Sequence, residues 1–402
     1  MTPHRYSNGF LNFAHALDHL FMLIFPTAVL GMTGTFGLSY TELLPLAIGG
    51  FIAFGAGSIP AGWLGDHWSR YKMMLIFFFG TGLASIAVSL VQTPLQLATA
   101  LTVLGAFAAI YHPVATAVLV VDPARVGRTL GVNGLFGNLG IAFSAFAAGA
   151  LTELISWRAA FIVPGIVAIA AGVAYFLIVR DDRAASTTVK TSRPAIERAA
   201  MLRVFLIVLV SISCGGVIFQ ATTIAMPKLF DERLREFAAT PLGIGTLVCG
   251  VYMIAAFAQA GVGPLIDRFA MRTVFVPIAV LQVPLLFLAG FAQGWAMLFA
   301  AVLMMLVVFG QIPVNDAMVA RYTADSYRAR AYAVRYLVSF GASAIALPLV
   351  ALLRRLTGGF QEVFQVLAAL ALCTLVAALA FPQASRTRHK GSGENPIRTA
   401  AT

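Results

Sequence analysis

Twelve apolar runs, each about as long as a membrane-crossing helix and separated by short polar turns, decide what this chain can fold into. They fall at approximately 10–31, 43–64, 73–91, 96–121, 129–152, 159–179, 204–228, 240–265, 273–292, 295–320, 331–353 and 360–382. In helical form each can cross a hydrocarbon core roughly 30 Å thick. Lipid offers no partner to a backbone amide, so each run is expected to satisfy its N–H and C=O groups within a helix. Composition agrees. Only 11% of the residues are charged and 60% are hydrophobic, against roughly 25% charged in an average soluble domain. The expected fold class is an all-α membrane protein with twelve transmembrane helices.

The formal net charge of +11 suggests nucleic acid until its placement is considered. Six of the 27 Lys and Arg residues (Arg158, Lys228, Arg233, Arg235, Arg354, Arg355) fall in the odd-numbered loops, and the other 21 lie on the face that carries both termini. Basic residues collect on the cytoplasmic side of membrane proteins, so both termini are expected there and no nucleic-acid partner is implied. Cys214, Cys249 and Cys373 sit singly in apolar runs, which implies neither a disulfide framework nor a cysteine metal site. The first apolar run exceeds a signal-peptide core and is expected to be retained as a spanning helix.

Two stretches 201 residues apart carry one pattern: Gly62-Trp-Leu-Gly-Asp66-His-Trp-Ser-Arg70-Tyr-Lys72 and Gly263-Pro-Leu-Ile-Asp267-Arg268-Phe-Ala-Met-Arg272. Gly140 and Gly341 are also 201 apart, and Asp122-Pro-Ala-Arg-Val-Gly-Arg128 matches Asp325-Ser-Tyr-Arg-Ala-Arg330. A near-constant offset implies two similar six-helix halves in tandem. The expected domains are an N-terminal half at 1–179, a cytoplasmic linker at 180–203, a C-terminal half at 204–382 and a disordered cytoplasmic tail at 383–402.

The repeated Gly-x-x-x-Asp pattern with following Arg and Lys resembles the signature of the major facilitator superfamily. Phe13-Ala-His15-Ala-Leu-Asp18-His19, Tyr111-His112-Pro113 and Gly137-Asn138-Leu-Gly140 resemble motifs of its fosmidomycin-resistance group of drug exporters. His67 stands where that signature usually has Arg, and Val114 where the exporter group carries Glu. The resemblance implies two pseudo-symmetric halves, alternating access, a bacterial inner membrane, and a gating role for the signature residues. Gly62, Asp66, Arg70, Lys72, Gly263, Asp267, Arg268 and Arg272 are the positions that would carry that role.

His15, Asp18 and His19 are spaced to share one face of a helix. An ionisable group inside a spanning helix costs roughly 2.5–3.5 kcal/mol on insertion scales, so it is a functional candidate by default. Asp18 can bind a proton, and histidine, which ionises near neutrality, can share that task. His112 precedes Pro113 in mid-span, where proline frees a carbonyl and kinks the helix. Gln311-Ile-Pro313-Val-Asn315-Asp316 lies about 200 residues later, so both halves are expected to break the corresponding helix and to place polar groups at the break. Asn138, Gln220, Asn315 and Asp316 join the substrate or proton-pathway candidates, although an isolated amide in a span often serves only to join helices. The glycines at 131, 134, 137 and 140 suit close helix packing or a rocking surface.

No phosphate-binding loop with Gly-Lys-Ser/Thr occurs, so transport would draw on an ion gradient or the substrate's own. The leading expectation is a non-enzymatic secondary transporter, a proton-coupled antiporter for efflux of a small organic compound, without cofactor and monomeric. The alternative is a divalent metal ion held by His15, Asp18, His19 and His112, because imidazole and carboxylate suit Zn, Ni, Fe or Cu. A membrane sensor is a third class, but the chain carries no recognisable signalling domain.

Overall fold

The computed structural model describes residues 3–119, 126–180, 198–322 and 328–382. Among these residues, eleven helices are long and apolar enough to cross a membrane. The remaining expected span lies in Arg328–Thr357, a helix of 30 residues. We number the spanning helices in chain order. In the first half they are α1 Pro3–Leu23, α2 Ile48–His67, α3 Arg70–Ser89, α4 in two pieces, Pro94–Ala108 and Tyr111–Leu119, α5 Val126–Leu154, and α6 Ala159–Ile178. In the second they are α7 Arg198–Arg233, α8 Pro241–Arg268, α9 Met271–Ala289, α10 Gly294–Tyr322, α11 Arg328–Thr357 and α12 Gln361–Leu379. The expected fold class is therefore observed.

Helix pairing repeats between the halves. In the first, α1 packs on α5, α2 on α4 and α3 on α6; in the second, α7 packs on α11, α8 on α10 and α9 on α12. The halves meet through α5 against α8 and through α2 against α11, which are equivalent contacts under a six-helix shift. A pseudo-twofold relation between tandem parallel repeats has this consequence.

Prolines mark the local departures from straight helices. Pro26 lacks an N–H, and the first span is interrupted at Ile24 before resuming over Phe25–Ala28 and a 3-10 turn at Val29–Gly31. Pro113 acts likewise: Ile110 N–H reaches Phe107 O in a tightened turn, and α4 restarts at Tyr111. Pro313 does not. The expectation of a matching break in the second half fails, because α10 runs continuously through it. One proline removes one hydrogen bond and crowds one carbonyl, a defect that a helix held by neighbours can absorb.

Two boundaries also shift. The expected linker ends early, since residues 198–203 belong to α7; residues 181–197 and the tail at 383–402 lie outside the described residues. The signature residues are helix ends rather than loop. Gly62 and Asp66 lie in α2 and Arg70 and Lys72 in α3, while Gly263, Asp267 and Arg268 lie in α8 and Arg272 in α9.

The two rims differ. On the rim of the odd-numbered turns, Glu153 at the end of α5 accepts a hydrogen bond from the Leu242 N–H of α8 at 2.8 Å. Nearby, Gly149 and Gly245 let the two backbones touch; an added Cβ would strike the Pro241 and Ala145 carbonyls respectively. Tyr40 donates to the Ile224 carbonyl at 3.4 Å, again across the halves. Towards the rim of the termini, a Cβ at Gly131 or Gly134 would meet nothing within 4 Å among the described residues.

Candidate functional site

The most polar place inside the first half is where α1 faces the break in α4. His15, Asp18 and His19 come from consecutive turns of α1, and the break turns Tyr111 and His112 of α4 towards them. The His15 and His19 rings lie 4.8 Å apart, and His112 lies 5.2 Å from His15 and 5.6 Å from His19. Asp18 is wholly buried, and its Oδ2 is 3.3 Å from His112 Nε2. His15, Asp18 and His19 share one face of the first helix, as their spacing predicts, and His112 stands beside them from a second helix.

Hydrogen bonds fix the imidazoles. His15 Nδ1–H donates to the Asn133 carbonyl of α5 at 2.7 Å, which leaves Nε2 as the lone-pair nitrogen. That nitrogen lies 3.1 Å from His19 Nε2, which donates to it. Tyr111 stacks on His15 at 4.9 Å, donates to the Leu11 carbonyl at 3.0 Å and accepts from Asn133 Nδ2 at 2.8 Å. Asn133 spends its other amide hydrogen on Asn12 Oδ1 at 3.0 Å. Gly137 makes the room, since a Cβ there would come within 2.6 Å of the His15 ring. Asp18 is treated differently: among the described residues, neither carboxylate oxygen has a hydrogen-bond donor.

The other candidates go elsewhere. Asn315 of α10 is nearly buried and accepts from Ser211 Oγ of α7 at 2.7 Å, so it ties two helices. Gln311 donates to the same Oγ at 3.1 Å. Asp316, next to Asn315 in α10, is not among the residues grouped around His15. Asn138 accepts from Gln259 Nε2 at 3.3 Å, a bond between α5 and α8 and therefore between the halves. Gln220 of α7 has a buried amide oxygen with no hydrogen-bond partner among the described residues.

Among the signature residues, Arg70 pairs with Asp66 at 2.7 Å one turn away and reaches the Ala117 carbonyl of α4 at 3.4 Å. Lys72 lies over the Trp68 ring at 5.2 Å. His67 bonds the Trp63 carbonyl at 2.8 Å and stacks on the Trp63 ring, a local use of a position where the signature usually carries Arg. Sequence reasoning missed Glu153 as a link between halves. It also read Tyr111 only as part of a motif. No spacing rule along one chain segment could have paired residues about a hundred positions apart.

Comparison with known proteins places this geometry. A family model described as Major Facilitator Superfamily matches residues 11–234 and 229–401. The puromycin resistance protein pur8 of Streptomyces alboniger is 29% identical over 232 residues, 57% of this chain and 41% of that protein. The chain thus matches less than half the length of this relative. Two crystal structures of a bacterial homolog to the human lysosomal transporter Spinster superpose with TM-scores of 0.74 and 0.75. They are in inward-facing unoccupied and occupied conformations, are 14% identical, and are covered over 95% of both chains. At that identity the likeness is one of fold.

Proposed function

The chain belongs to the major facilitator superfamily, whose members are transporters, and we propose that it exports a small organic compound by alternating access, driven by the proton gradient. The observation that carries this reading is the uneven contact between the halves. They are tied at the rim of the odd-numbered turns by Glu153 and Tyr40 and parted on the face of Gly131 and Gly134. With the termini in the cytoplasm, as the Lys and Arg distribution favours, this is a state that loads from inside the cell. Organic cargo is supported by the resistance named for the Streptomyces relative. Gradient drive is supported by the lack of a phosphate-binding loop in the 402-residue sequence.

Asn138, Gln259 and Gln220 are the proposed cargo contacts. Asn138 and Gln259 bond each other across the dividing surface, so a cargo can replace their mutual bond with its own. Gln220 holds an amide oxygen still open to a donor. The gating role of Asp66, Arg70, Asp267 and Arg272 is retained as part of this proposal, because α2, α3, α8 and α9 all end at the parted rim.

The test is proton movement. Purified protein in vesicles loaded with a pH-sensitive dye is challenged with puromycin and a set of amphiphilic cations. The expected result is substrate-dependent proton flux with a stoichiometric counter-movement of cargo, reduced at least tenfold in a Gln220→Ala/Asn138→Ala double variant. Cargo movement at an unchanged rate after the pH gradient is collapsed would refute proton coupling. A double variant with unaltered flux would refute the cargo contacts.

A further inference from the structure

We propose that His15, His19, His112 and Asp18 form a binding site for a divalent transition-metal ion of the Zn²⁺ type, held entirely within the N-terminal half. The ligand atoms of the three histidines all lie within 4.8 Å of one another. Zinc bonds imidazole nitrogen at about 2.0–2.1 Å, so adjacent ligands of a tetrahedral site stand about 3.3 Å apart. Two edges of the cluster already have that length: His15 Nε2 to His19 Nε2 at 3.1 Å and His112 Nε2 to Asp18 Oδ2 at 3.3 Å. With the ligand atoms of the three histidines already within 4.8 Å of one another, Asp18 joins them through His112.

Three further features point to a cation. His15 carries the outer support expected of a metal ligand: its Nδ1–H is fixed on the Asn133 carbonyl, which turns the lone pair of Nε2 into the cluster. Asp18 is wholly buried, with no hydrogen-bond donor on either oxygen among the described residues, an arrangement that metal coordination resolves. The site also has an approach, since the His112 side chain keeps 12% exposure beside the buried carboxylate. Three imidazoles and one carboxylate select a borderline ion such as Zn²⁺, Co²⁺ or Ni²⁺ over Ca²⁺ and Mg²⁺, which take mostly oxygen. None of the four ligands comes from the second half, so the ion can stay bound while the halves rock. The site does not depend on what organic cargo is carried.

Cobalt is the probe, because a tetrahedral Co²⁺ site absorbs visible light far more strongly than octahedral aqueous Co²⁺. Titration of the purified full chain in detergent is expected to give one intense Co²⁺ spectrum per chain, bleached by stoichiometric Zn²⁺. His19→Gln, His112→Gln and Asp18→Asn should each weaken binding at least tenfold, while His67→Gln, on the exposed end of α2, leaves it unchanged. Folding is monitored separately. Zn²⁺ should raise the Tm of the parent protein, and variants that remain folded should lose only that increment. Binding with an octahedral spectrum alone, or undiminished binding by the folded His112→Gln/Asp18→Asn double variant, overturns the proposal. Loss of metal binding leaves cargo-driven proton flux as an independent measurement, so the two proposals can fail separately.

Discussion

At the level of single residues, the pseudo-symmetry separates scaffolding from chemistry. Tyr111 bonds the Leu11 carbonyl, and Gln311, 200 positions on, approaches the Ser211 carbonyl at 3.4 Å. Both halves thus tie the first and fourth helices at the same point with different side chains. A feature that survives such a change of residue is structural. The counterparts of His15, Asp18 and His112 are Gly215, Ile218 and Ile312 by the same 200-residue offset, so the ionisable cluster has no mirror image. What only one half carries is the stronger candidate for function. The tie makes a quantitative prediction. A hydrogen bond between membrane helices averages about 0.6 kcal/mol and reaches about 1.7. Tyr111→Phe also strands a buried Asn133 donor, which moves it to the upper end of that range. We expect it to cost about 1–2 kcal/mol in reversible detergent unfolding. Gln311→Met, which frees Ser211 Oγ to serve Asn315 alone, should cost less. An inverted order would mean that the second-half tie, not the first, carries the load.

Among elements, α4 and α10 show what a sequence can and cannot specify. The number of helices, their order and the tandem halves were legible in apolar run length and in the 201-residue offset, because burial in lipid fixes both. His15, Asp18 and His19 were legible as a common face, because helical spacing is local. The metal alternative grouped His112 with them, but no spacing dictated its arrival there, since the pairing of α1 with α4 is tertiary. The fate of the two prolines was not legible at all. Both remove one backbone donor, yet only Pro113 coincides with a break. There the α4 turn is rebuilt around Ala109 and Ile110, and Tyr111 and His112 are redirected onto α1. Small residues show the same dependence on partner. Gly140 admits the Ala16 backbone, but Gly341 has open space, and close approach in the second half is made by Gly216 against Ala342. The glycine has changed helices while the contact has stayed. Pro313→Ala is therefore expected to stabilise the protein, by up to about 3 kcal/mol, because it restores a missing bond in an already continuous helix. Pro113→Ala should instead slow amide exchange at residues 109–111 without comparable stabilisation, because straightening α4 pulls Tyr111 away from Leu11. Equal stabilisation by both substitutions would show that the α4 break holds nothing in place.

For the molecule as a whole, the closed rim is a set of electrostatic fasteners in a chain otherwise poor in charge. Arg354 of α11 bonds Glu232 of α7 at 2.7 and 2.5 Å and packs over Phe360. Arg233 caps the carbonyls of Ala289, Gly290 and Ala292 at the end of α9, where the helix dipole favours a cation. These act within the second half. Glu153 is different, because it reaches from the first half to the N-terminus of α8. There Pro241 opens the helix, the Thr240 hydroxyl accepts the Gly243 N–H, and the Leu242 N–H is left for the carboxylate. A carboxylate at a helix N-terminus is worth roughly 0.3–1 kcal/mol when exposed to solvent. That is little for folding, yet alternating access turns on small differences between two packings of the same halves. Glu153→Gln keeps the shape and removes the charge, so it should shift the equilibrium away from the state closed at this rim by up to about fivefold. Spin labels at positions 154 and 236, both on exposed parts of that rim, would report the shift as growth of a longer distance in pulsed dipolar measurements. Tyr40→Phe, which deletes the second inter-half bond, should add to it, because the two bonds share no partner. If neither substitution alters the distance distribution, the closure is carried by the backbone contact at Gly149 and Gly245, and Gly149→Ala becomes the change that opens the rim.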